Sequence, residues 1–246
     1  MIKFIVFCTK VVAVSIAALV FSSCHANINW GDGIDGNGKV TRQIRKVENN
    51  FSKIEVSRGI KVILDKSEGY AVEVEADENL QEHITTKVEN GLLIITTDEN
   101  IDEAKAKNVH VKLPALTSVE STSGASVLTK NTFNGTDLFI KTSSGSETEL
   151  AVEYDIIKSE SSSGSTINIT GKALKLNSAS SSGSSVNAKD LLVNEVTAKA
   201  SSGGSIKVHP GISLNAKASS GSSIDYYGSP KTVIKDESSG GSVSKD

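Results

Sequence analysis

Aromatic residues make up only 4% of this 246-residue chain, with a single tryptophan, and there are 3 prolines and 2 cysteines. A chain so poor in large rings has to fill its interior with Val, Ile, Leu, Ala and Ser, which suits a narrow β core. No block of like charge is present and the formal net charge is −3, so nothing points to electrostatic capture of nucleic acid or another polyanion. The four histidines, His25, His83, His110 and His209, are scattered without metal-ligand spacing, and no cofactor is expected. Serine is abundant, yet no Gly-x-Ser-x-Gly elbow lies between a strand and a helix. The apolar run Val11–Phe21 is too short to span a bilayer and has the length of a signal-peptide core.

What the chain has in plenty is one small motif, Ser-Ser-Gly or a near variant. Its glycines fall at Gly124, Gly145, Gly164, Gly183, Gly203, Gly221 and Gly240, in steps of 21, 19, 19, 20, 18 and 19 residues. A period near 20 marks a solenoid in which each repeat buries its apolar face against its neighbours. The seventh residue before each glycine reads Thr117, Leu138, Ile157, Leu176, Val196, Leu214 and Val233. Two and four residues later the same parity turns mostly small, ending in Ser121, Thr142, Ser161, Ser180, Ala200, Ala218 and Glu237, so the coil narrows toward its glycine. Polar residues alternate between these columns, as on a strand with one dry and one wet face. A flexible Ser/Gly linker would have no reason to keep such columns in register. The glycines are expected at corners that need φ > 0, with serine hydroxyls beside them bonding corner backbone.

The organisation predicted along the chain is a signal peptide over 1–23, a lipidated Cys24 with a flexible tether over 24–46, and one β domain over 47–246. Phe21-Ser22-Ser23-Cys24 resembles a bacterial lipobox, although Phe21 replaces the usual Leu, and an ordinary secretory signal is the alternative. Cys8 would leave with the signal, so the mature chain could form no intrachain disulfide. Asp32 to Asn37 lacks the spacing and distal glutamate of an EF-hand. Residues 47–113 read as a cap plus a first coil with its corner at Gly59, and 114–246 as the regular coils. The cap is predicted to hold a strand over Tyr70–Ala76, a short helix over Glu78–Ile84 and a hairpin about Glu89-Asn90-Gly91.

The run Phe51 to Val62, followed by Val72-Glu73-Val74-Glu75-Ala76-Asp77-Glu78-Asn79-Leu80 and the Ser-Ser-Gly coils, resembles the family called putative auto-transporter adhesin, head GIN domain, of Bacteroidetes-type bacteria. Gly59-Ile60-Lys61 stands where that family has Gly-Ile-Asn. The resemblance covers about Val47 to Asp246 and implies a right-handed parallel β-helix, here with about eight coils of roughly 19 residues, on an envelope lipoprotein or secreted protein. It supplies no catalytic motif.

The function expected is therefore a non-catalytic adhesin or binding module, anchored to the outer membrane through Cys24, with a glycan or protein ligand and room for oligomerisation. Tyr226 and Tyr227 form a candidate contact patch, with packing at the end of the solenoid as the rival reading. A periplasmic envelope-stress or scaffold protein is the alternative, because His-Ala-Asn-Ile-Asn after Cys24 carries no acidic run that would mark surface export. A β-helix polysaccharide-processing enzyme is a third reading. Against it, the outward column Glu120, Lys141, Glu160, Ala179, Lys199, Lys217 and Asp236 predicts carboxylates paired with lysines.

Overall fold

The computed structural model describes residues 33–48 and 50–246; the predicted signal peptide and Cys24 lie outside them. From Ile34 onward the chain forms one unit. Its first strands are β1 (Val40–Arg45), β2 (Lys53–Val56), β3 (Lys61–Lys66), β4 (Ala71–Asp77), β5 (Ile84–Glu89), β6 (Leu92–Thr97) and β7 (Lys107–Leu113). The coils follow as β8 (Ser118–Ser121), β9 (Ser126–Thr129), β10 (Phe133–Thr142), β11 (Glu147–Ser161), β12 (Thr166–Ser180), β13 (Ser185–Ala200), β14 (Ser205–Ser219), β15 (Ser223–Tyr226), β16 (Thr232–Ser238) and β17 (Ser242–Lys245). From β8 on, every pairing is parallel and each coil stacks on the next, giving a β-solenoid of about seven turns.

The sequence columns are columns in space. Leu138, Ile157, Leu176, Val196 and Leu214 are all buried, and the registers Leu138↔Ile157↔Leu176↔Val196↔Leu214 place each above the last. Each such side chain contributes about 1.5–3 kcal/mol when fully buried. At the start of the run Thr117 is exposed and Leu116 is the buried residue. The third column puts hydroxyls inside: Ser121 and Thr142 bond each other and Thr148, which lies past the Gly145 corner, at 2.8–3.2 Å, so these buried polar groups are satisfied.

Each Ser-Gly corner is a two-residue turn with both central residues left-handed. Ser123 has φ 55° and Gly124 φ 72°, Ser163 53° and Gly164 69°, and the N–H three residues on returns to the first carbonyl, as Ala125 to Thr122 at 3.3 Å. That is the type I′ signature, whose twist suits a sharp strand-to-strand reversal. Glycine accepts its conformation freely, whereas the preceding serine does so at a cost of about 1 kcal/mol. Across coils the glycine N–H donates to the left-handed serine's carbonyl in the next turn, as Gly145 to Ser163 and Gly164 to Ser182, both at 3.1 Å. The corner is thereby tied into the stack.

The first coil, β2–corner–β3, lies directly on β8 and β9, and the intervening residues make an excursion that covers its other side. The predicted hairpin is β5–β6, with Asn90 at φ 50° and Gly91 at φ 76°. β6 then runs parallel to β2, and β7 parallel to β3. The helix expected over Glu78–Ile84 is only a 3-10 turn at Glu78–Leu80, because Ile84 already belongs to β5, where it pairs with Thr97 across the hairpin.

The tether reading over 24–46 is corrected for its described part. Ile34 bridges to Ile101, and β1 adds antiparallel to β4 with Val40 opposite Asp77 and Arg45 opposite Val72. Hydrogen bonds rather than burial hold it: Arg45 donates to the Gln81 carbonyl and side chain, and Gln81 Nε2 donates to the carbonyls of Thr41 and Val74. Asp77 fixes the approach. Fully buried, it accepts the backbone N–H groups of Gly38, Lys105 and Ala106 at 3.0–3.3 Å, and a Cβ on Gly36 would stand 2.0 Å from its Oδ2.

Candidate binding surface

Each coil has, besides its glycine corner, a side where the in–out alternation changes phase. In β11 Asp155 and Ile156 are both exposed in succession, in β12 Leu174 and Lys175, and in β13 Asn194 and Glu195. At Ile156 and Leu174 this slip turns outward a residue type that the strands elsewhere keep inside. Ile156, Leu174, Leu192 and Ile212, one in each of four successive coils, stand out from this side, with Leu174 50% and Leu192 53% exposed.

Between them lies a trough of about 490 Å³, with Tyr154, Ala173, Val193 and Pro210 along its floor and Gly228 and Ser229 at one end. The registers Gly135↔Tyr154↔Ala173↔Val193↔Pro210 run straight along it. A second depression of about 610 Å³ continues on the far side of Tyr154, past Gly135, Leu116 and Phe139. Tyr154 is a fixed divider. Its ring packs over Gly135, its hydroxyl donates to the Leu116 carbonyl at 2.5 Å, and burial pushes its pKa up to about 12. Gly171 lets the coils approach here: at φ 116° a Cβ would stand 2.0 Å from the Val152 carbonyl oxygen.

The lysines beside the trough are paired with carboxylates, and Asp155 adds a further carboxylate to the lining. Lys172 reaches Glu153 at 3.9 Å and Lys175 reaches Glu195 at 3.3 Å, while Lys158 pairs with Glu160 at 2.7 Å and lies over the Phe139 ring. Asn194, His209 and Ser229 add neutral hydrogen-bonding groups at the rim.

The residues singled out in sequence are distributed differently. All eight corner glycines, Gly59, Gly124, Gly145, Gly164, Gly183, Gly203, Gly221 and Gly240, have φ between 67° and 76°. They lie at the corners, away from the trough. Tyr226 and Tyr227 do not form one patch: Tyr226 is only 8% exposed, with the Lys235 ammonium over its ring, whereas Tyr227 sits outside near His209 and bonds Asp246. The outward charge column is partly paired, Lys141 with Glu120 at 3.3 Å and Lys217 with Asp236 at 2.7 Å. Sequence reading missed the trough, although two adjacent polar residues breaking the alternation, Asn194-Glu195 in β13, were its visible signal. A further basin of about 400 Å³ lies on the cap, between Ile44, Glu73, His110 and Lys112. Among the described residues no three His, Cys, Asp or Glu side chains converge on a metal-sized site.

Comparison with known proteins agrees with this architecture. The family model described as putative auto-transporter adhesin, head GIN domain, matches residues 50–230, and the chain belongs to that family. The fold is similar to the crystal structure of a putative adhesin from Bacteroides fragilis, with TM-score 0.82, 19% identity, 87% of this chain and 100% of that one covered. A putative adhesin from Parabacteroides merdae gives TM-score 0.71 at 21% identity, covering 88% and 100% of the two chains. A putative lipid binding protein from Parabacteroides distasonis gives 0.71 at 18%, covering 87% and 99%. No curated protein matches the chain.

Proposed function

We propose that the protein is a non-catalytic adhesin of the cell envelope, held to the outer membrane by a lipid on Cys24 and binding an extended partner along the side of the solenoid. The observation that carries this is an exposed apolar residue in each of four successive coils, Ile156, Leu174, Leu192 and Ile212, on the side that holds an open trough. Membership of a family described as adhesins supports the reading. Several carboxylates along the coils are engaged with lysines, as in Glu120–Lys141 and Glu153–Lys172, an arrangement suited to a solvated binding face.

Protease treatment of intact cells, followed by whole-cell adherence with and without the gene, tests it. Release of the domain at the cell surface together with loss of adherence on deletion is expected, while a fully protected domain and unchanged adherence would sink the adhesin reading. The Cys24→Ala chain should move from the membrane to the soluble fraction; retention in the membrane would refute the anchor.

A further inference from the structure

We infer that the trough beside Leu174 and Leu192 is a subsite for a linear, uncharged glycan lying along the solenoid axis, an assignment that rests on the binding role proposed above. Three features of the surface select this ligand class. Length is the first: the registered floor from Tyr154 to Pro210 takes in four coils, and Gly228 and Ser229 extend the lining to one more. At about 4.8 Å per step the path across these five coils is about 19 Å long, which suits an extended chain rather than a single headgroup. The rise per coil is also close to the advance of one sugar ring in an extended polysaccharide.

Charge is the second. The lysines beside the trough are neutralised in the pairs Lys172–Glu153 and Lys175–Glu195, and Asp155 adds a further carboxylate to the lining, so the surface offers no surplus positive charge to an anionic polymer or an anionic membrane. The third is the lateral order of chemistry. Half-exposed Leu174 and Leu192 stand next to the neutral groups of Asn194, His209 and Ser229. A pyranose has the complementary order, an apolar C–H face bordered by hydroxyls. Side chains such as Leu192 give the ring face something to rest on, and the rim groups meet its edge. His209 is held in place by its Nδ1, which contacts the Lys189 carbonyl oxygen at 3.1 Å. Many weak contacts repeated from coil to coil then add along the chain.

The test uses the full purified chain and named hexasaccharides: cellohexaose, laminarihexaose, maltohexaose and mannohexaose as neutral probes, with hexagalacturonate as the acidic one. Calorimetry should show binding of at least one neutral probe that is insensitive to salt and weaker by about tenfold or more in the Leu174→Ser/Leu192→Ser variant. Both leucines are half-exposed, so the variant should keep the wild-type circular dichroism, and Ile44→Ser on the cap should bind as wild type. Neutral binding that survives the double substitution would overturn the site. Preference for hexagalacturonate, or binding of phosphatidylcholine vesicles and none of the sugars, would overturn the ligand class. If no sugar binds but intact cells still adhere through the protein, the glycan assignment fails and the adhesin reading stands; if neither occurs, both fail.

Discussion

At the residue scale the molecule distinguishes serines that look alike in sequence. In the position after the corner glycine, Ser165 Oγ donates to the Thr142 carbonyl of the neighbouring coil at 2.8 Å, and Ser184 Oγ does the same to Ser161 at 2.7 Å. The equivalent Ser146 is buried with its hydroxyl unpartnered. Ser165→Ala should therefore destabilise by about 1–2 kcal/mol, while Ser146→Ala should be neutral or slightly stabilising, because it removes a desolvated group that gains nothing. Urea denaturation of the two variants checks this, and equal losses would refute it. Glycines divide similarly. A Cβ at Gly164 meets nothing within 4 Å, so Gly164→Ala carries only the left-handed penalty of about 1–2 kcal/mol. Gly171→Ala places a methyl group against the Val152 carbonyl and should cost more than twice as much, read from the same denaturation curves.

At the scale of elements, the cap depends on polar bonding where the coils depend on apolar columns. Burial alone would raise the Asp77 pKa, but the N–H groups of Gly38, Lys105 and Ala106 outweigh it, and the carboxyl ends below its ordinary value. Glu75 is lowered too, chiefly by its hydrogen bond with His110 and also by Arg42. A carboxyl whose folded pKa is depressed contributes stability that is present above its unfolded pKa, about 3.9 for Asp, and is lost as pH falls through the folded value. The cap should accordingly loosen below about pH 4, with β1 releasing from β4 before the coils melt. Asp77→Asn should be markedly less stable at neutral pH, and the gap to wild type should narrow on acidification. Hydrogen exchange of β1 against pH measures both effects; a gap that stays constant down to acid pH would exclude Asp77 as the lock.

At the scale of the whole described unit, a stack of parallel coils has ends that invite further stacking. The last coil meets this with charge. In the inward columns that read Ala198 and Ala216, then Ala200 and Ala218, it carries Lys235 and Glu237. Lys235 Nζ donates to the Val243 carbonyl at 2.7 Å, and Glu237 accepts the Val243 N–H at 2.5 Å, so the two side chains turn across the end of the stack. Replacing both, as Lys235→Val/Glu237→Val, would leave an apolar open coil continuous with the buried columns. Sedimentation velocity should then show stronger concentration-dependent association than for the wild type; a variant that associates no more than the wild type would show that these charges do not guard the end.

The sequence by itself determined the coil: its period, its corners, its inward columns and the hairpin of the cap. These rest on local rules, since alternation and left-handed turns leave their mark on adjacent residues such as Ser163-Gly164 and repeat once per coil. Tertiary structure alone decided what depends on partners distant in the chain. β1 carries no apolar alternation, and only the meeting of Asp77 with Gly38 and Ala106, and of Arg45 with Gln81, makes a strand of a stretch that reads as tether. The same holds for the trough. Leu192 is an ordinary β-strand leucine until stacking sets it on one rim of the trough, in register with Lys172 and His209, while Leu174 stands on the other. Periodicity fixes which residues share a face, but which face is left uncovered is settled only when all the coils are in place.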